Sequence, residues 1–306
     1  MKNLVIGTAD GYSFYVLEPF IRSFMKFAQN TEMVVFVKNM SSFTIEKIKA
    51  VGKGKIKLQP FPKNLHSALA VNSRWEIFSG YLEKNFQNYD QVLATDTRDV
   101  IFQGDVFATF ADQTEYIGYS TSDETLNGKI DPVNVANIQW IEACFGKEAA
   151  SLIADEKIAC AGTIIGSANE MRLLCQKISE ILMSKDFVGA DQATYNHIIY
   201  NKVLPIKNFI PIHCKTGVIS VPSEWFKEET TSTDGKFILR ADGGVAALFH
   251  QYDRVPSLAS FVDKIYREKD FKFNRVYTDA KSAYEQFIQL IFADKFAEAV
   301  KVFSTY

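Results

Sequence analysis

The sequence lacks the composition of a nucleic-acid-binding protein. Its 306 residues carry 34 lysines and arginines against 36 aspartates and glutamates, so the formal net charge is −2. Proteins that bind the phosphate backbone usually present an excess of positive charge on at least one face. We therefore expect no nucleic acid among the partners of this protein.

Cysteine is scarce, and its placement does not suit a structural metal. The sequence has four cysteines, Cys144, Cys160, Cys175 and Cys214, and none of them forms a Cys-x-x-Cys pair. A structural zinc site is therefore not expected. The pattern is typical of reduced, buried thiols in a cytosolic protein.

Long apolar runs are also missing. No stretch reaches the roughly 18 apolar residues that a membrane-spanning helix needs. Residues 1–14 contain no long apolar region followed by a small-residue cleavage site, so no signal peptide is expected. These absences predict a cytoplasmic protein, and peripheral contact at the inner membrane face stays open as an alternative.

Short apolar strands alternate with helical segments from the first residues onward. Strands are predicted at Leu4–Gly7, Met33–Val37 and Lys55–Leu58, and helices at Tyr15–Ala28 and Thr44–Val51. Such alternation favours a parallel sheet with helices on both faces. A chain of this length suits one large α/β domain or two small ones.

Similar patterns predict the later elements. Helices are predicted at Ser67–Phe86, Ile138–Ile153, Met171–Met183 and Asp191–Tyr200. Strands are predicted at Gln91–Thr95, Tyr116–Tyr119 and Val245–Phe249, and short strands within Leu204–Ser220. Ser120–Val133 is polar and is predicted to be a surface loop. Ile158–Gly166 is predicted to contain a small-residue turn, which serves either ligand approach or tight packing. The chain is predicted to be helical from Ser257, with an apolar stripe over Ala280–Phe303 that packs on the core.

The stretch Gln91–Phe107 suggests a metal site. The apolar strand Gln91–Thr95 is followed at once by Asp96, Arg98 and Asp99. Parallel sheets bind their ligands at the carboxyl ends of the strands. A bound divalent cation relieves the repulsion between two close carboxylates, and hard cations such as Mg²⁺ or Mn²⁺ often share these ligands with substrate phosphates. The pattern predicts a metal–diphosphate site in an enzyme that uses a nucleotide-sugar.

A second strand end carries another metal-binding side chain. His250 follows the predicted strand Val245–Phe249 directly. A lone histidine is more often structural than a ligand. Residues 96–99, the carboxylate turn, already provide two acids. Because His250 also stands at a strand end, it becomes a candidate third ligand.

Three other charged residues each have two open interpretations. Arg74, on the helix before the central strand, either reaches the carboxylate turn or a sugar hydroxyl, or is solvated. Asp10, after the first strand, either contacts a base or ribose or caps the next helix. Asp191 either binds a sugar hydroxyl or is the N-cap of the helix that follows it.

Together these motifs resemble those of the metal-dependent GT-A glycosyltransferases, near the family 8 type and its bacterial relatives. The similar motifs, in order, are Arg74-Trp75, Asp96-Thr97-Arg98-Asp99 at the Asp-x-Asp position, Cys160-Ala161-Gly162-Thr163 at a turn that often reads Cys-Asn-Ala-Gly, Asp191-Gln192 with Asn196, and His250. The resemblance runs from Leu4 to about Arg254. It departs from the family pattern at one point, because Asp96 and Asp99 are three residues apart instead of two. Either Asp99 acts as the second acid through a turn, or the intervening Arg98 changes the site.

The resemblance implies a fold and a domain organisation. The expected fold is α/β of the GT-A type, a single Rossmann-like domain with a mostly parallel central sheet flanked by helices. This domain would cover residues 1–256. A C-terminal helical extension, residues 257–306, would pack on it.

The resemblance also implies an activity and a set of site residues. The expected reaction moves a sugar from a nucleotide-diphosphate sugar, most simply a UDP-sugar, to a hydroxyl of a glycan or glycolipid. It would use Mn²⁺ or Mg²⁺ and, for the family 8 type, retain the anomeric configuration. The implied metal ligands are Asp96, Asp99 and His250. The implied donor-binding residues are Thr8, Asp10, Arg74, Asp96, Thr97 and Gly162, and the implied catalytic residues are Arg74 and Asp191.

Two rival functions stay open at this point. One is a magnesium-dependent phosphatase with an aspartate nucleophile, which would resemble the haloacid dehalogenases. That chemistry uses an Asp-x-Asp directly after an N-terminal strand, whereas here a single acid, Asp10, stands there. The other is a nucleotide-sugar binding protein that keeps the fold without catalysis.

Overall fold

The computed structural model of this chain describes residues 2–125, 132–221 and 230–268. The strands are β1 (Lys2–Asp10), β2 (Thr31–Lys38), β3 (Ile56–Pro60), β4 (Tyr89–Thr95), β5 (Val100–Phe102), β6 (Tyr116–Thr125), β7 (Lys157–Ser167), β8 (Asn208–His213), β9 (Ile219–Ser220), β10 (Thr230–Thr231), β11 (Ile238–Leu239) and β12 (Leu248–His250). The helices are α1 (Phe14–Phe27), α2 (Ser42–Gly52), α3 (Ala70–Asn85), α4 (Pro132–Leu152), α5 (Ala168–Leu182), α6 (Ala190–Tyr200) and α7 (Pro256–Tyr266).

A seven-stranded sheet in the order β3-β2-β1-β4-β7-β6-β8 forms the centre of the molecule. Strand β7 runs antiparallel to both of its neighbours, β4 and β6. All other pairings in this sheet are parallel. The predicted mostly parallel sheet is therefore confirmed, and its one reversed strand lies beside the central strand β4.

The sheet is buried on both faces, as the apolar runs require. Consecutive residues Leu4, Val5 and Ile6 of β1 are all fully buried, and they belong alternately to two separate cores. Helices α3 to α6 cover one face, and α1, α2 and a small second sheet cover the other. Successive side chains of a strand point to opposite faces, so a strand between two layers must be apolar throughout.

The second sheet has three short strands in the order β5-β12-β9. Strand β5 leaves the carboxylate turn after β4 and pairs antiparallel with β12, with Val100 opposite His250. On one face Phe102 and Leu248 enter the core below the central sheet. On the other face Ile101 and Phe249 pack against α7. This pairing joins parts of the chain that are about 150 residues apart in sequence.

Two sequence-based predictions about strands near the site are wrong. Ile158–Gly166 is not a turn but part of the continuous strand β7, in which the pairing register with β6 shifts around residues 160–163. Ser120–Val133 is not entirely a loop, because β6 continues to Thr125 and pairs with β7 and β8. Sheet pairing overrides local polarity here, since Ser120 is fully buried.

Helix α7 opens the region predicted to be a C-terminal extension. Its residues Leu258, Val262 and Tyr266 are buried against the small sheet. The predicted apolar helix Ala280–Phe303 lies outside the described residues. Within the described ranges, no helix combines the length and the apolar character that a membrane span needs.

Glu32 ties together the four parallel strands at the edge opposite to their carboxyl ends. Its carboxylate accepts hydrogen bonds from Lys2 of β1 (2.5 Å), Lys57 of β3 (2.8 Å) and the Tyr89 hydroxyl of β4 (2.7 Å). Burial alone would raise the pKa of Glu32, but its three partners lower it from 4.5 to about 2. A depressed pKa stabilises the fold above the unfolded-state pKa, and the benefit is lost as the pH falls.

We predict that Glu32→Gln lowers the free energy of unfolding at neutral pH. Because Lys2 and Lys57 are about half exposed, solvent screening limits the expected loss to about 1–2 kcal/mol. The difference from the wild type should shrink as the pH falls from 4.5 towards 2. Urea unfolding across this range measures it, with the exposed Glu46→Gln as control. A difference that does not vary with pH would contradict the assignment.

Candidate active site

The carboxylate turn lies where the topology predicts a ligand site. Residues 96–99 connect the carboxyl end of β4 to β5, and β4 is parallel to its neighbour β1. The backbone N–H of Asp96 donates to the carbonyl of Gly162 on β7 (2.8 Å), and that of Gln251 donates to the carbonyl of Asp99 (2.7 Å). One end of the turn is thus fixed to β7, and the other end is fixed to the residue that follows β12.

Asp96, Asp99 and His250 converge on one point. One ligand atom from each lies within 4.8 Å of the other two. The imidazole Nε2 is 3.3 Å from Asp96 Oδ2 and 3.6 Å from Asp99 Oδ1. His250 is 1% exposed. Among the described residues, no group lies in a suitable geometry to form a hydrogen bond with its Nε2. A buried imidazole nitrogen at this distance from two carboxylate oxygens places three potential ligand atoms around one point, as a divalent cation requires.

The two oxygens of each carboxylate have different partners. Asp96 Oδ1 accepts from Arg74 Nη1, and its Oδ2 faces His250. Asp99 Oδ2 accepts from Arg98 Nη2 (3.0 Å), and its Oδ1 faces His250. Each carboxylate therefore uses one oxygen to bind an arginine and turns the other towards the same point.

These contacts shift the pKa values of Asp96 and His250 in opposite directions. Burial alone would raise the pKa of Asp96, but the Arg74 guanidinium and His250 lower it well below its usual range. Burial alone would lower the pKa of His250, but contacts with Cys160 and the two carboxylates raise it to about 10. A divalent cation bound at Nε2 would compete with a proton for the same nitrogen, so cation binding should depend on pH.

Gly162 allows the close approach at the site. A Cβ at this position would lie 2.3 Å from His250 Cε1 and 2.6 Å from Asp96 Oδ2. Only a residue without a side chain fits between the reversed strand and the two candidate ligands. Among the small residues that suggested a turn, the glycine is therefore required by this contact.

Arg74 and Asp191 form a buried pair beside the candidate ligands. Arg74 Nη2 donates to Asp191 Oδ2 (2.8 Å) and to the carbonyl of Ala161 (3.2 Å). Arg74 is 7% exposed and Asp191 is 5% exposed. The solvated interpretation of Arg74 is wrong. The N-cap interpretation of Asp191 is also wrong, because Gly189, with φ of 92°, is the N-cap residue and Asp191 lies in the first turn.

Three predicted donor-binding residues lie at the end of β1. Thr97 is buried, and its hydroxyl donates to the carbonyl of Thr8 (2.7 Å), so this side chain holds the carboxylate turn against β1. Asp10 accepts from Asn39 Nδ2 (2.8 Å) and lies 3.5 Å from Lys38 Nζ. Thr8 and Asp10 are both half-buried.

Several residues that shape the site had no specific role in the sequence analysis, although Cys160, Arg98 and Gln192 stand within its motifs. Cys160 Sγ lies 3.6 Å from His250 Nδ1. Arg98 Nη2 lies 3.4 Å from Asp253 Oδ2. Gln192 bonds to the backbone of Ala159 and Ala161, where the register shift in β7 leaves these groups available. The sequence offered one clue to Asp253, because it follows the strand-end residue His250 by three positions, as Asp99 follows the strand-end residue Asp96.

The donor set fits a hard divalent cation. Carboxylate oxygens with one imidazole suit Mn²⁺ or Mg²⁺, whereas a thiolate-rich set would favour zinc or iron. The unbonded Nε2 of His250 and the oxygens opposite it would hold the ion. The remaining coordination positions would be left for water or a ligand.

By sequence, no protein family and no curated protein matches this chain. By structure, it is similar to the galactosyltransferase LgtC, solved in complex with donor and acceptor sugar analogues, with 14% identity and a TM-score of 0.54. An active-site mutant of LgtC matches with 13% identity and a TM-score of 0.55. Each match covers 87% of this chain and 98% of the LgtC chain.

This chain has a GT-A fold. The similarity extends over nearly the whole of LgtC and confirms the predicted α/β architecture. At this level of identity the match establishes the arrangement of strands and helices. What the chain does must be argued from its own side chains, because one fold supports many chemistries.

We predict that Arg74→Gln is strongly destabilising, because it leaves Asp191 buried without its cation. Removing one partner of a buried ion pair costs about 3–5 kcal/mol. The double variant Arg74→Gln/Asp191→Asn should recover part of this loss, because it removes the unpaired charge. Urea unfolding measures both, and Lys207→Gln, which breaks an exposed pair with Glu115, is the control. A loss no larger than that of the control would contradict the pairing.

We predict that Gly162→Ala impairs cation binding while the protein still folds. The added methyl group must displace either His250 or Asp96, and either displacement separates the candidate ligands. Affinity for Mn²⁺, measured by calorimetry, should fall by about tenfold or more. Circular dichroism would show whether the fold persists. Unchanged Mn²⁺ affinity in the folded variant would show that the two side chains do not act together.

Proposed function

We propose that this protein is a glycosyltransferase that moves a sugar from a nucleotide-diphosphate sugar to an acceptor hydroxyl. The observation that carries the proposal is the convergence of Asp96, Asp99 and His250 at the carboxyl end of the central sheet, beside the buried Arg74–Asp191 pair. The GT-A fold by itself does not establish a reaction, because one fold supports many chemistries. The charged side chains of this chain supply the chemical argument.

The charge balance of the site favours a divalent cation with a diphosphate ligand. Four carboxylates, those of Asp96, Asp99, Asp191 and Asp253, contact two guanidinium groups, those of Arg74 and Arg98. The arginines balance two of the negative charges, and a divalent cation would balance the other two. Magnesium and manganese sites of this kind usually keep coordination positions for substrate phosphates.

The cation and the residues around Asp96, Asp99 and His250 would each have a different role in the reaction. When bound, the cation supplies Lewis-acid stabilisation of the charge that develops on the leaving diphosphate. Arg74 orients Asp96 and Asp191 through its two terminal nitrogens. Asp191 would bind donor or acceptor hydroxyls near the sugar. Thr8 and Asp10 lie at the end of β1, where the nucleoside would bind, and Gly162 keeps the backbone close to the donor.

The finer assignments belong to this proposal. The donor would be a UDP-sugar, the cation Mn²⁺ or Mg²⁺, and the acceptor a glycan or glycolipid, with retention of configuration. LgtC, described as a galactosyltransferase bound to donor and acceptor sugar analogues, supports the donor and acceptor classes by its similarity. The protein would work in the cytoplasm, with peripheral contact at the inner membrane face if the acceptor is a glycolipid.

We predict that Asp99→Ala and His250→Ala each abolish metal-dependent turnover of a UDP-sugar. Each substitution removes one of three ligands, whereas the fold should survive, because a hydrophobic core surrounds the small sheet. A panel of UDP-, GDP- and CMP-sugars with Mn²⁺ or EDTA measures the activity as hydrolysis or transfer. The exposed residues Asp112 and His66 provide matched controls as Asp112→Ala and His66→Ala. Full activity in either ligand variant would defeat the site assignment.

The same panel, extended by simple phosphomonoesters and by a donor-binding measurement, separates the rival functions. A silent nucleotide-sugar binding protein would bind the donor without hydrolysing it under any metal condition. A phosphatase would release phosphate from simple phosphomonoesters and would depend on Asp10. In this structure Asp10 already accepts a hydrogen bond from Asn39 and lies near Lys38, which suits a binding residue better than a free nucleophile.

A further inference from the structure

A second arginine, Arg98, interrupts the pair of acids at the site. Its Nη2 lies 3.0 Å from Asp99 Oδ2 and 3.4 Å from Asp253 Oδ2, so one nitrogen contacts two carboxylates. Asp99 is 7% exposed at its side chain, whereas the side chain of Arg98 is 43% exposed. The guanidinium therefore covers the outer side of a buried carboxylate.

The contact with Arg98 decides which oxygen of Asp99 is available at the site. Oδ2 accepts from Arg98, and Oδ1 alone faces the imidazole of His250. A carboxylate free to rotate could offer both oxygens to a cation, or neither. The contact with Arg98 removes this freedom.

Asp253 and His250 come from the same short segment. His250 ends β12, and Asp253 lies in the single 3₁₀ turn Tyr252–Arg254 that follows. Gln251 between them has φ of 62° and donates its backbone N–H to the carbonyl of Asp99. This segment therefore presents a candidate ligand and an acid that contacts Arg98 to the same side of the carboxylate turn.

We propose that Asp253 and Arg98 form a positioning pair, in which Asp253 holds Arg98 and Arg98 holds Asp99 as a one-oxygen ligand of the divalent cation. The inference rests on the metal centre of the proposed function and adds two residues to it. It also accounts for the three-residue spacing of Asp96 and Asp99, because the arginine between them supports the second acid. Groups that orient metal ligands from outside typically change metal affinity by about 10–100-fold when removed.

A purely electrostatic role for Arg98 predicts the opposite sign. A guanidinium close to the site repels a cation, so its removal alone should tighten cation binding. If Arg98 instead positions Asp99, its removal should weaken binding despite the lost repulsion. The direction of the change therefore separates the two roles, and a structural role with no effect on the site would leave affinity unchanged.

The experiment measures Mn²⁺ affinity of the full chain without any sugar donor, by calorimetry and by the electron paramagnetic resonance of bound Mn²⁺. We expect Arg98→Gln and Asp253→Asn each to weaken binding by about tenfold, with Arg98→Lys intermediate. In the double variant the two effects should not multiply, because Asp253 acts through Arg98. The control is Lys207→Gln, which removes one positive charge from an exposed pair.

Each outcome supports or overturns the inference. Unchanged or tighter Mn²⁺ binding by folded Arg98→Gln overturns it and leaves the metal centre of the proposed function standing. Multiplying losses in the double variant also overturn it, because they would mean that Asp253 acts independently. If the wild-type protein binds no Mn²⁺, the metal centre fails, and the positioning role fails with it.

Discussion

The repulsion among four carboxylates at one end of the central sheet is the constraint on which the site depends. Two of them, Asp99 and Asp191, are almost completely buried, and a buried charge without a partner is strongly unfavourable. Two arginines stabilise these charges, and each of them contacts two of the acids. The charge that remains is the physical reason to expect a divalent cation there.

The fold brings these charges together with a few short contacts. Antiparallel pairing of β5 with β12 sets His250 opposite Val100 and so next to Asp99. The reversed strand β7 brings Gly162 against Asp96, and side chains of α6 bond to β7 where its pairing with β6 is irregular. An irregularity in a strand beside a functional site commonly serves to direct groups towards it. The site therefore depends on three pairings between segments that are distant in sequence.

Much of the architecture could be predicted because it follows from local patterns. The apolar strands and the periodic helices correspond to elements of the structure, and Asp96 and His250 were found because they stand at strand ends. The wrong predictions concern strand pairing. Gly162 was expected in a turn because small residues favour turns, whereas its smallness serves a contact with His250. The contact between Arg98 and Asp253 could not be predicted, because it depends on the register of the small sheet.

The similarity to LgtC and the divergence in sequence follow from different physical demands. A core needs only apolar side chains of suitable size in the right periodicity, so a fold can persist at 14% identity. A metal centre needs particular atoms within a few tenths of an ångström, and those atoms need their own partners. In this chain Asp96 is held by Arg74 from an adjacent helix, whereas Asp99 is held by its sequence neighbour Arg98. A second acid supported in this way can stand one residue further along the turn and still face His250. The three-residue spacing is thus compatible with the proposed metal centre, in which Arg98 and its contact with Asp253 would support Asp99.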